Sequence, residues 1–212
     1  MISRLHFITH HDSVEGHLQQ VQDAIKAGVN WIQVRIKEKP DGEIAAALAS
    51  CIQLAKKENV TLILNDRVHL STQFSADGVH VGQEDMAPAE VRKVIGQKII
   101  GGTANTIDQI KKHVEGGVDY VGVGPFRFTG TKKKLSPVLG VEGYQTIIDQ
   151  LQQDGIVLPV IAIGGITPHD VPAILKTGVH GIAVSGGLLQ AGMFDQKAFL
   201  EFQTMITSAA GN

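Results

Sequence analysis

The chain has 212 residues, of which 43% are hydrophobic and 19% charged, a composition typical of a globular protein. Its net charge of −2 and isoelectric point near 6.5 argue against nucleic acid or an anionic membrane surface as its main partner. A single cysteine excludes a disulfide framework and a thiolate metal cluster. No apolar run reaches the ~20 residues that would span a bilayer, and the N-terminal sequence lacks a signal-peptide pattern. We therefore expect a cytoplasmic protein with no membrane partner.

Short apolar runs alternate with amphipathic segments about eight times along the chain. The predicted strands, in order, are RLHFIT, WIQVRI, TLILN, GVHVG, KIIGGT, YVGVG, LPVIAIG and GIAVS. Helical periodicity follows most of them, with room for only a short helix between the third and fourth strands. This pattern predicts an α/β fold, a single (β/α)8 TIM barrel domain over residues 1–212. A doubly wound open sheet is the alternative, but no G-x-G-x-x-G follows the first strand.

Two helix ends are marked in the sequence. Thr167 before Pro168 indicates an N-cap with proline at the first helical position, and Gly178 marks a C-terminal stop. In a barrel of this kind the active site lies at the C-terminal ends of the strands. Polar residues at those ends therefore need a functional explanation.

The second predicted strand alternates polar and apolar residues. Because side chains alternate between the faces of a strand, Gln33, Arg35 and Lys37 share one face. The aliphatic residues between them must cover the helices, so we expect the polar set at the barrel mouth. Buried cations are costly unless an anion meets them. The alternative is a pair of internal salt bridges to neighbouring strands.

Two carboxylates follow the next two strands. Neighbouring strands are about 4.8 Å apart, so Asp66 and Asp85 could approach the same point above the barrel. A pair of carboxylates with no imidazole or thiolate beside it suits Mg²⁺, and Mg²⁺ with the two cations of strand two would suit a diphosphate. The alternative is that Asp85 caps the helix near Pro88 and Asp66 pairs with Arg67 or Arg35.

Glycine-rich turns follow the seventh and eighth strands. Glycines let backbone N–H groups approach a ligand closely, and these two loops are a common phosphate site in barrels. We interpret Gly164, Gly165, Val184, Ser185 and Gly186 as a monophosphate cradle. The alternative is that these glycines are present only because tight turns require their backbone conformation.

The chemistry implied by these groups is electrostatic. The remaining strand ends offer Asn65 and the hydroxyl of Thr103. The sequence shows no Ser-His or Cys-His pairing and no H-E-x-x-H motif, and His80 on strand four is the one histidine that we place near the mouth. We expect the departure of a diphosphate with little proton transfer.

The segment GPFRFTGTKKK, which starts at Gly124, lies between two apolar segments and lacks periodicity. A run of lysines on a polar loop usually faces solvent. However, the stretch 125–140 is longer than compact domains usually leave without regular structure. It also follows strand six, so we expect an active-site loop in which Lys132 faces inward.

Several segments carry a family resemblance. They are QVRIK, LNDRVHL, ADGVHVGQEDM, DYVGVGPFRFTGTKKK, IAIGGIT and the VSGG turn. In order and spacing they resemble the thiamine-phosphate synthase (thiamine-phosphate pyrophosphorylase) family over residues 5–190. That family joins 4-amino-5-hydroxymethyl-2-methylpyrimidine diphosphate to 4-methyl-5-(2-phosphoethyl)thiazole, or to its carboxylated form, and releases diphosphate. Its mechanism is dissociative: a pyrimidine-methyl cation forms and is captured by the thiazole nitrogen, which carries no proton.

The resemblance implies a role for each matching position. The pyrimidine-diphosphate contacts are Gln33, Arg35, Lys37, Asn65, Thr103 (where the family usually has serine) and Lys132, of which Arg35, Lys37 and Lys132 are catalytic. The Mg²⁺ ligands are Asp66 and Asp85, and the thiazole-phosphate contacts are Thr129, Thr131, Gly165, Val184 and Ser185. Phe128 replaces a common proline, and Gly186 a common alanine. The alternatives are a thiazole tautomerase, which does not need the diphosphate apparatus, and a non-catalytic sensor of thiazole phosphate or thiamine phosphate.

Overall fold

Eight parallel strands close into a barrel in a computed structural model that describes residues 1–128 and 137–210. The strands are β1 (Leu5–Ile8), β2 (Trp31–Val34), β3 (Thr61–Asn65), β4 (Gly78–Val81), β5 (Ile99–Ala104), β6 (Tyr120–Val123), β7 (Val160–Ile163) and β8 (Gly181–Val184). Each strand pairs with the next, and β8 pairs with β1. The predicted closed (β/α)8 barrel is confirmed, and the open doubly wound sheet is excluded.

Eight α-helices connect and cover these strands in the described part of the chain. They are α1 (Val14–Lys26), α2 (Asp41–Lys57), α3 (Val68–Phe74), α4 (Pro88–Ile95), α5 (Ile107–Glu115), α6 (Gly140–Gln153), α7 (Val171–Lys176) and α8 (Gln196–Ala210). The short helix expected after β3 is present as α3. Among the described residues, no helix is long and apolar enough to cross a membrane.

The structure differs from the sequence prediction in three places. β2 ends at Val34, so Arg35 and Lys37 lie in the loop after it instead of in the strand. A 3-10 helix, Pro168–Asp170, precedes α7; Thr167 is its N-cap and Pro168 its first residue, as predicted, and Thr167 and Asp170 form a reciprocal capping box. A two-stranded hairpin, Leu189–Gln190 with Met193–Phe194, separates β8 from α8 and was not predicted.

The barrel has two separate apolar cores. The larger one lies between strands and helices and contains Ile32, Val34 and Ile36, the aliphatic face predicted for strand two. The smaller one fills the barrel interior and consists of Ile8, Trp31, Ile63, Tyr120, Ile161 and Ala183. Beyond this core, toward the strand ends, polar side chains such as Gln33 and Asn65 join apolar ones on the interior face.

Candidate active site

The polar face of strand two leads from the barrel interior to its mouth. Gln33 is buried at 4% exposure and its Nε2 has no hydrogen-bond partner among the described residues. Arg35 is half-buried, and burial lowers the pKa of its guanidinium while the charge of Asp66 opposes that shift. Lys37, further out, is exposed. The three side chains therefore form a graded series from buried amide to solvated ammonium.

The two predicted carboxylates lie next to each other. Burial and the neighbouring carboxyl of Asp85 raise the pKa of Asp66 to about 6, while Lys37 and Arg35 act in the opposite direction. The Asp85 side chain also accepts a hydrogen bond of 2.7 Å from the Gly82 backbone N–H. Two carboxylates in contact repel each other unless a cation or a proton lies between them. Lys37 and Arg35 offset part of this repulsion, but the pKa of Asp66 stays raised beside Asp85.

The structure supports one part of the alternative interpretation of these aspartates, because the charge of Arg35 acts on Asp66. Arg67 pairs with Asp41 instead of Asp66, and the N-cap of α4 is Ala87, with no side-chain cap from Asp85. Asp66 itself has a φ of +63°, a left-handed backbone conformation that aspartate tolerates better than most residues. This conformation occurs where the chain turns from β3 into α3. No group of three or more metal-ligating side chains occurs in residues 1–128 and 137–210.

A cavity of about 90 Å³ lies inside the barrel above the interior apolar core. Its lining includes the predicted site residues Gln33, Arg35, Asn65 and Thr103, together with His6, Ile8, His80, Tyr120, Gly122, Ile161, Ile163 and Ala183. Three strands, β2, β3 and β5, thus contribute predicted residues to one pocket. The amide, hydroxyl and imidazole groups on its wall suit a polar heteroaromatic ring.

His80 is held by two hydroxyl groups. Its Nδ1 lies 3.0 Å from the Tyr120 hydroxyl and its Nε2 lies 2.9 Å from Thr103 Oγ1. Gly101 makes this contact possible, because a Cβ there would lie 2.2 Å from the Tyr120 ring and 2.5 Å from His80 Nδ1. The carbonyl of Thr103 is in turn hydrogen-bonded to His113 at 2.8 Å. Thr103 is therefore fixed through both its side chain and its backbone.

A second cavity of about 260 Å³ lies at the ends of β7 and β8. All five residues of the predicted monophosphate cradle line it, as do Ile8, His10, Arg35, Pro125, Ile163, Ile166, Ala183 and Gly187. Gly164 and Gly165 have φ values of +108° and +67°, conformations that favour glycine. Arg35 lines both cavities, as do Ile8, Ile163 and Ala183, so the two cavities adjoin.

The two ends of the predicted active-site loop are bonded to each other. The backbone N–H groups of Leu139 and Gly140 donate to the carbonyls of Pro125 and Phe126 at 2.9 and 3.0 Å. Pro125 also lines the second cavity, so the loop begins and ends at the cradle. The predicted site residues Thr129, Thr131 and Lys132 lie outside the described residues.

Sequence reasoning missed several residues of the barrel interior. His6 is buried and stacks on Trp31 with ring centroids 4.4 Å apart, and both rings contact Tyr120 edge-on. The alternation of side chains would have placed His6 and Trp31 inside, two residues before the inward-facing Ile8 and Gln33. Thr9 was also missed, and its hydroxyl accepts a hydrogen bond of 3.1 Å from the Arg35 backbone N–H.

The fold and the site define a (β/α)8 barrel protein with a cationic mouth, two adjoining cavities and a pair of carboxylates. The family model described as thiamine monophosphate synthase matches residues 5–188, and the chain belongs to this family. A thiamine-phosphate synthase from Bacteroides fragilis is 49% identical over 188 residues, covering 88% of this chain and 92% of that protein. One from Flavobacterium johnsoniae is 41% identical over 201 residues, covering 94% and 93%. The solved structure of thiamine phosphate pyrophosphorylase from Pyrococcus furiosus superposes with a TM-score of 0.82 at 30% identity, covering 97% and 96%.

Proposed function

We propose that this chain, a thiamine-phosphate synthase, joins 4-amino-5-hydroxymethyl-2-methylpyrimidine diphosphate to a phosphorylated thiazole at the mouth of the barrel. The products are thiamine phosphate and diphosphate, so the enzyme is a transferase. The observation that carries the proposal for the site is the contact between Asp66 and Asp85 beside Arg35 and Lys37. That combination of charges suits a diphosphate with a divalent cation and has no other evident purpose in the fold.

Asp66 and Asp85 fit the Mg²⁺ that the family resemblance implies. Carboxylate oxygens are the ligands that Mg²⁺ prefers, and one or two of them with substrate phosphates usually complete a site. Burial, and then the neighbouring carboxyl of Asp85, raise the pKa of Asp66, and a divalent cation between the two carboxylates would oppose both effects. When bound, Mg²⁺ neutralises charge on the diphosphate and supports its departure.

The interior cavity suits the pyrimidine ring. Gln33 Nε2 is a buried donor with no partner in the part of the chain that the structure describes, and a buried donor left unpaired is costly. An acceptor on the aminopyrimidine would satisfy it, while Asn65 and Thr103 offer further polar contacts on the same wall. These groups would hold the ring so that its methylene carbon faces the mouth.

The cations at the mouth stabilise the leaving group. Arg35 and Lys37 lie near the carboxylate pair and can meet the negative charge that develops as the carbon–oxygen bond breaks. We assign the same role to Lys132 on the strength of the family resemblance. The electron pair leaves with the diphosphate, and the thiazole nitrogen supplies the pair that forms the new carbon–nitrogen bond.

The cavity at β7 and β8 suits the thiazole phosphate. Gly165, Val184 and Ser185 line it, and we assign Thr129 and Thr131 to the same phosphate by resemblance. The cavity adjoins the pyrimidine pocket through Arg35, as capture of a short-lived cation requires. Because the attacking nitrogen carries no proton, the step needs no general base.

Two other functions use the same fold. A thiazole tautomerase, or a silent sensor of thiazole phosphate or thiamine phosphate, would not need Arg35, Lys37 and the two aspartates together. Their joint presence at one point favours the synthase. We also propose that residues 1–212 form one domain that acts in the cytoplasm.

One assay tests the function directly. Purified protein is mixed with the pyrimidine diphosphate, the thiazole phosphate and Mg²⁺, and thiamine phosphate is measured against time. We expect turnover that EDTA abolishes and excess Mg²⁺ restores. Isomerisation of the carboxylated thiazole without coupling would identify a tautomerase, and tight binding without any product would identify a sensor.

A further inference from the structure

An ion pair joins the segment after β6 to the segment after β7. Arg127 Nη1 and Nη2 each lie 2.8 Å from a carboxylate oxygen of Asp170, a bidentate arrangement. Nη1 also lies 2.8 Å from the carbonyl oxygen of Gly165. The guanidinium carbon lies 4.9 Å from the centre of the Phe126 ring. Arg127, to which the sequence assigned no role, thus contacts three separate groups.

The backbone makes the same connection. The N–H of Phe126 donates to the carbonyl of Ile163 at 2.8 Å, and the N–H of Arg127 donates to the carbonyl of Gly164 at 3.0 Å. The fit is close, because a Cβ on Gly164 would lie 2.7 Å from Pro125 Cβ. The two segments therefore form one unit at the edge of the cradle cavity.

These contacts fix the orientation of two peptide planes. The carbonyls of Gly164 and Gly165 both point to Arg127. A trans peptide is planar, with its N–H opposite its C=O, so the N–H groups of Gly165 and Ile166 point away from Arg127. Gly165 and Ile166 line the cradle cavity, whereas Arg127 does not. The two N–H groups are thereby directed toward the cavity.

We propose that Arg127 is a positioning residue that orients the backbone N–H groups of Gly165 and Ile166 toward the phosphate of the thiazole substrate. This inference rests on the proposed function, since it assumes that the cavity binds that phosphate. Arg127 is not itself a phosphate ligand, because its charge is paired with Asp170 and it lies outside the cavity lining.

Asp170 is well placed to hold Arg127 rigidly. Its side chain is 15% exposed and also accepts hydrogen bonds of 2.7 Å from the backbone N–H and the hydroxyl of Thr167. Burial opposes ionisation, but the hydrogen bonds from Arg127 and Thr167 outweigh it and lower the pKa of the carboxyl. The Asp170 carboxylate accepts four hydrogen bonds, two of them from Thr167, and therefore holds the guanidinium in a fixed position.

The substitution Arg127→Met tests the proposal, because it keeps an apolar chain over Phe126 and removes every hydrogen bond of the guanidinium, while the backbone bond from residue 127 to the Gly164 carbonyl remains. We expect KM for the thiazole phosphate to rise about ten- to a hundredfold, the cost of misplacing a binding group by an ångström or less. KM for the pyrimidine diphosphate should stay within about twofold. Arg127→Lys keeps the charge but loses the bidentate geometry, so its KM for the thiazole phosphate should lie between those of the unsubstituted protein and of Arg127→Met.

Arg92→Met is the matched control. Arg92 also binds a carboxylate, that of Asp119 at 2.8 Å, and the carbonyls of Gly96, Lys98 and Gly117, all before the N-terminal ends of strands. Arg92→Met should lower the free energy of unfolding about as much as Arg127→Met does, and it should leave both KM values unchanged. An equal rise of both KM values in Arg127→Met, or the same thiazole effect in Arg92→Met, would overturn the proposal.

Amide NMR spectra separate this inference from the function itself. In the unsubstituted protein, we expect the amide signals of Gly165 and Ile166 to shift when the thiazole phosphate is added without the second substrate. In Arg127→Met the shifts should require about tenfold more ligand or more, in line with the change in KM. If these amide signals shift but no thiamine phosphate forms, the proposed synthase function is refuted and the role of Arg127 stands. If thiamine phosphate forms but the amide signals do not shift, the role of Arg127 alone is refuted.

Discussion

His80 Nε2 lies 2.9 Å from the side-chain oxygen of Thr103, and this contact orients a hydroxyl on the wall of the interior cavity. On the other side of the imidazole, the Tyr120 hydroxyl is 3.0 Å from Nδ1. If the buried Tyr120 hydroxyl donates to Nδ1, then Nε2–H donates to Thr103 and the Thr103 proton is left for a ligand. In that arrangement Thr103 is a hydrogen-bond donor to the ligand.

Two substitutions at Thr103 test this arrangement. Thr103→Val keeps the shape but removes the hydroxyl and its hydrogen bond to His80, so it should destabilise the fold by about 0.5–1.5 kcal/mol. It should also raise KM for the pyrimidine diphosphate about tenfold, the value of a hydrogen bond of about 1.4 kcal/mol. Thr103→Ser keeps the hydroxyl and should behave like the unsubstituted protein. Steady-state kinetics and thermal unfolding check both results, and equal kinetics for the two variants would contradict the assignment.

Asp66→Asn should have opposite effects with and without metal. The folded-state pKa of about 6 lies above the ordinary value of 3.8, so the metal-free protein loses stability as the pH rises through that interval. Asparagine removes this loss and tolerates the left-handed backbone at this position. We therefore expect a higher melting temperature in EDTA at pH 7, but loss of Mg²⁺-dependent turnover.

Melting curves recorded during a Mg²⁺ titration complete this test. The unsubstituted protein should gain stability with Mg²⁺, since a ligand that binds only the folded state stabilises it. Asp66→Asn and Asp85→Asn should gain much less. Equal stabilisation of all three proteins would show that the ion binds elsewhere.

His6 should make the protein sensitive to acid. Burial lowers its pKa to about 3, and the nearby His80 and His180 add to this shift against a hydrogen bond to the Ser3 carbonyl. Since the unfolded chain protonates near 6.5, stability should fall as the pH drops from about 6.5 toward 3, by up to ~1.4 kcal/mol per pH unit. His6→Phe keeps the stacking on Trp31 and should flatten this dependence. Denaturant unfolding at pH 4, 5 and 6 measures this pH dependence. If stability changed with pH as steeply in His6→Phe as in the unsubstituted protein, His6 would be ruled out as the cause.

Gly164→Ala should impair the cradle, and Gly28→Ala is its matched control. Both glycines have φ near +100°, at +108° and +93°, so alanine strains the backbone similarly at each, by roughly 1–2 kcal/mol. A Cβ at 164 also meets Pro125, whereas a Cβ at 28 meets no atom within 4 Å. Only Gly164→Ala should raise KM for the thiazole phosphate, by about tenfold or more. If Gly28→Ala did the same, backbone strain rather than the close contact would be responsible.

Lys132→Ala should slow the coupling step far more than it weakens binding of the thiazole phosphate. Loss of a cation that meets the departing diphosphate typically costs about a hundredfold in kcat. Lys133→Ala, at the neighbouring position, should have a much smaller effect. Kinetics with each substrate varied in turn distinguish these outcomes. The reverse pattern would assign Lys132 to the thiazole phosphate.

The repeat of apolar runs and the polar residues at strand ends were readable in the sequence by themselves. Period-2 alternation placed Gln33 and Arg35 on the inner face, and glycine-rich turns after β7 and β8 marked the cradle, because both follow from local backbone geometry. The family pattern supplied roles for the same positions. Local chemistry is encoded in short stretches, so one chain suffices to detect it.

Only the tertiary structure decided how distant residues meet. It places Asp66 against Asp85, His80 between two hydroxyls from other strands, and Arg127 against Asp170. The curvature and register of the closed barrel determine which strand ends adjoin and how deep each side chain lies, and no local pattern contains that information. Burial then sets the charges, as the shifted pKa values of Asp66 and His6 illustrate, since desolvation exists only once the surrounding strands and helices are packed.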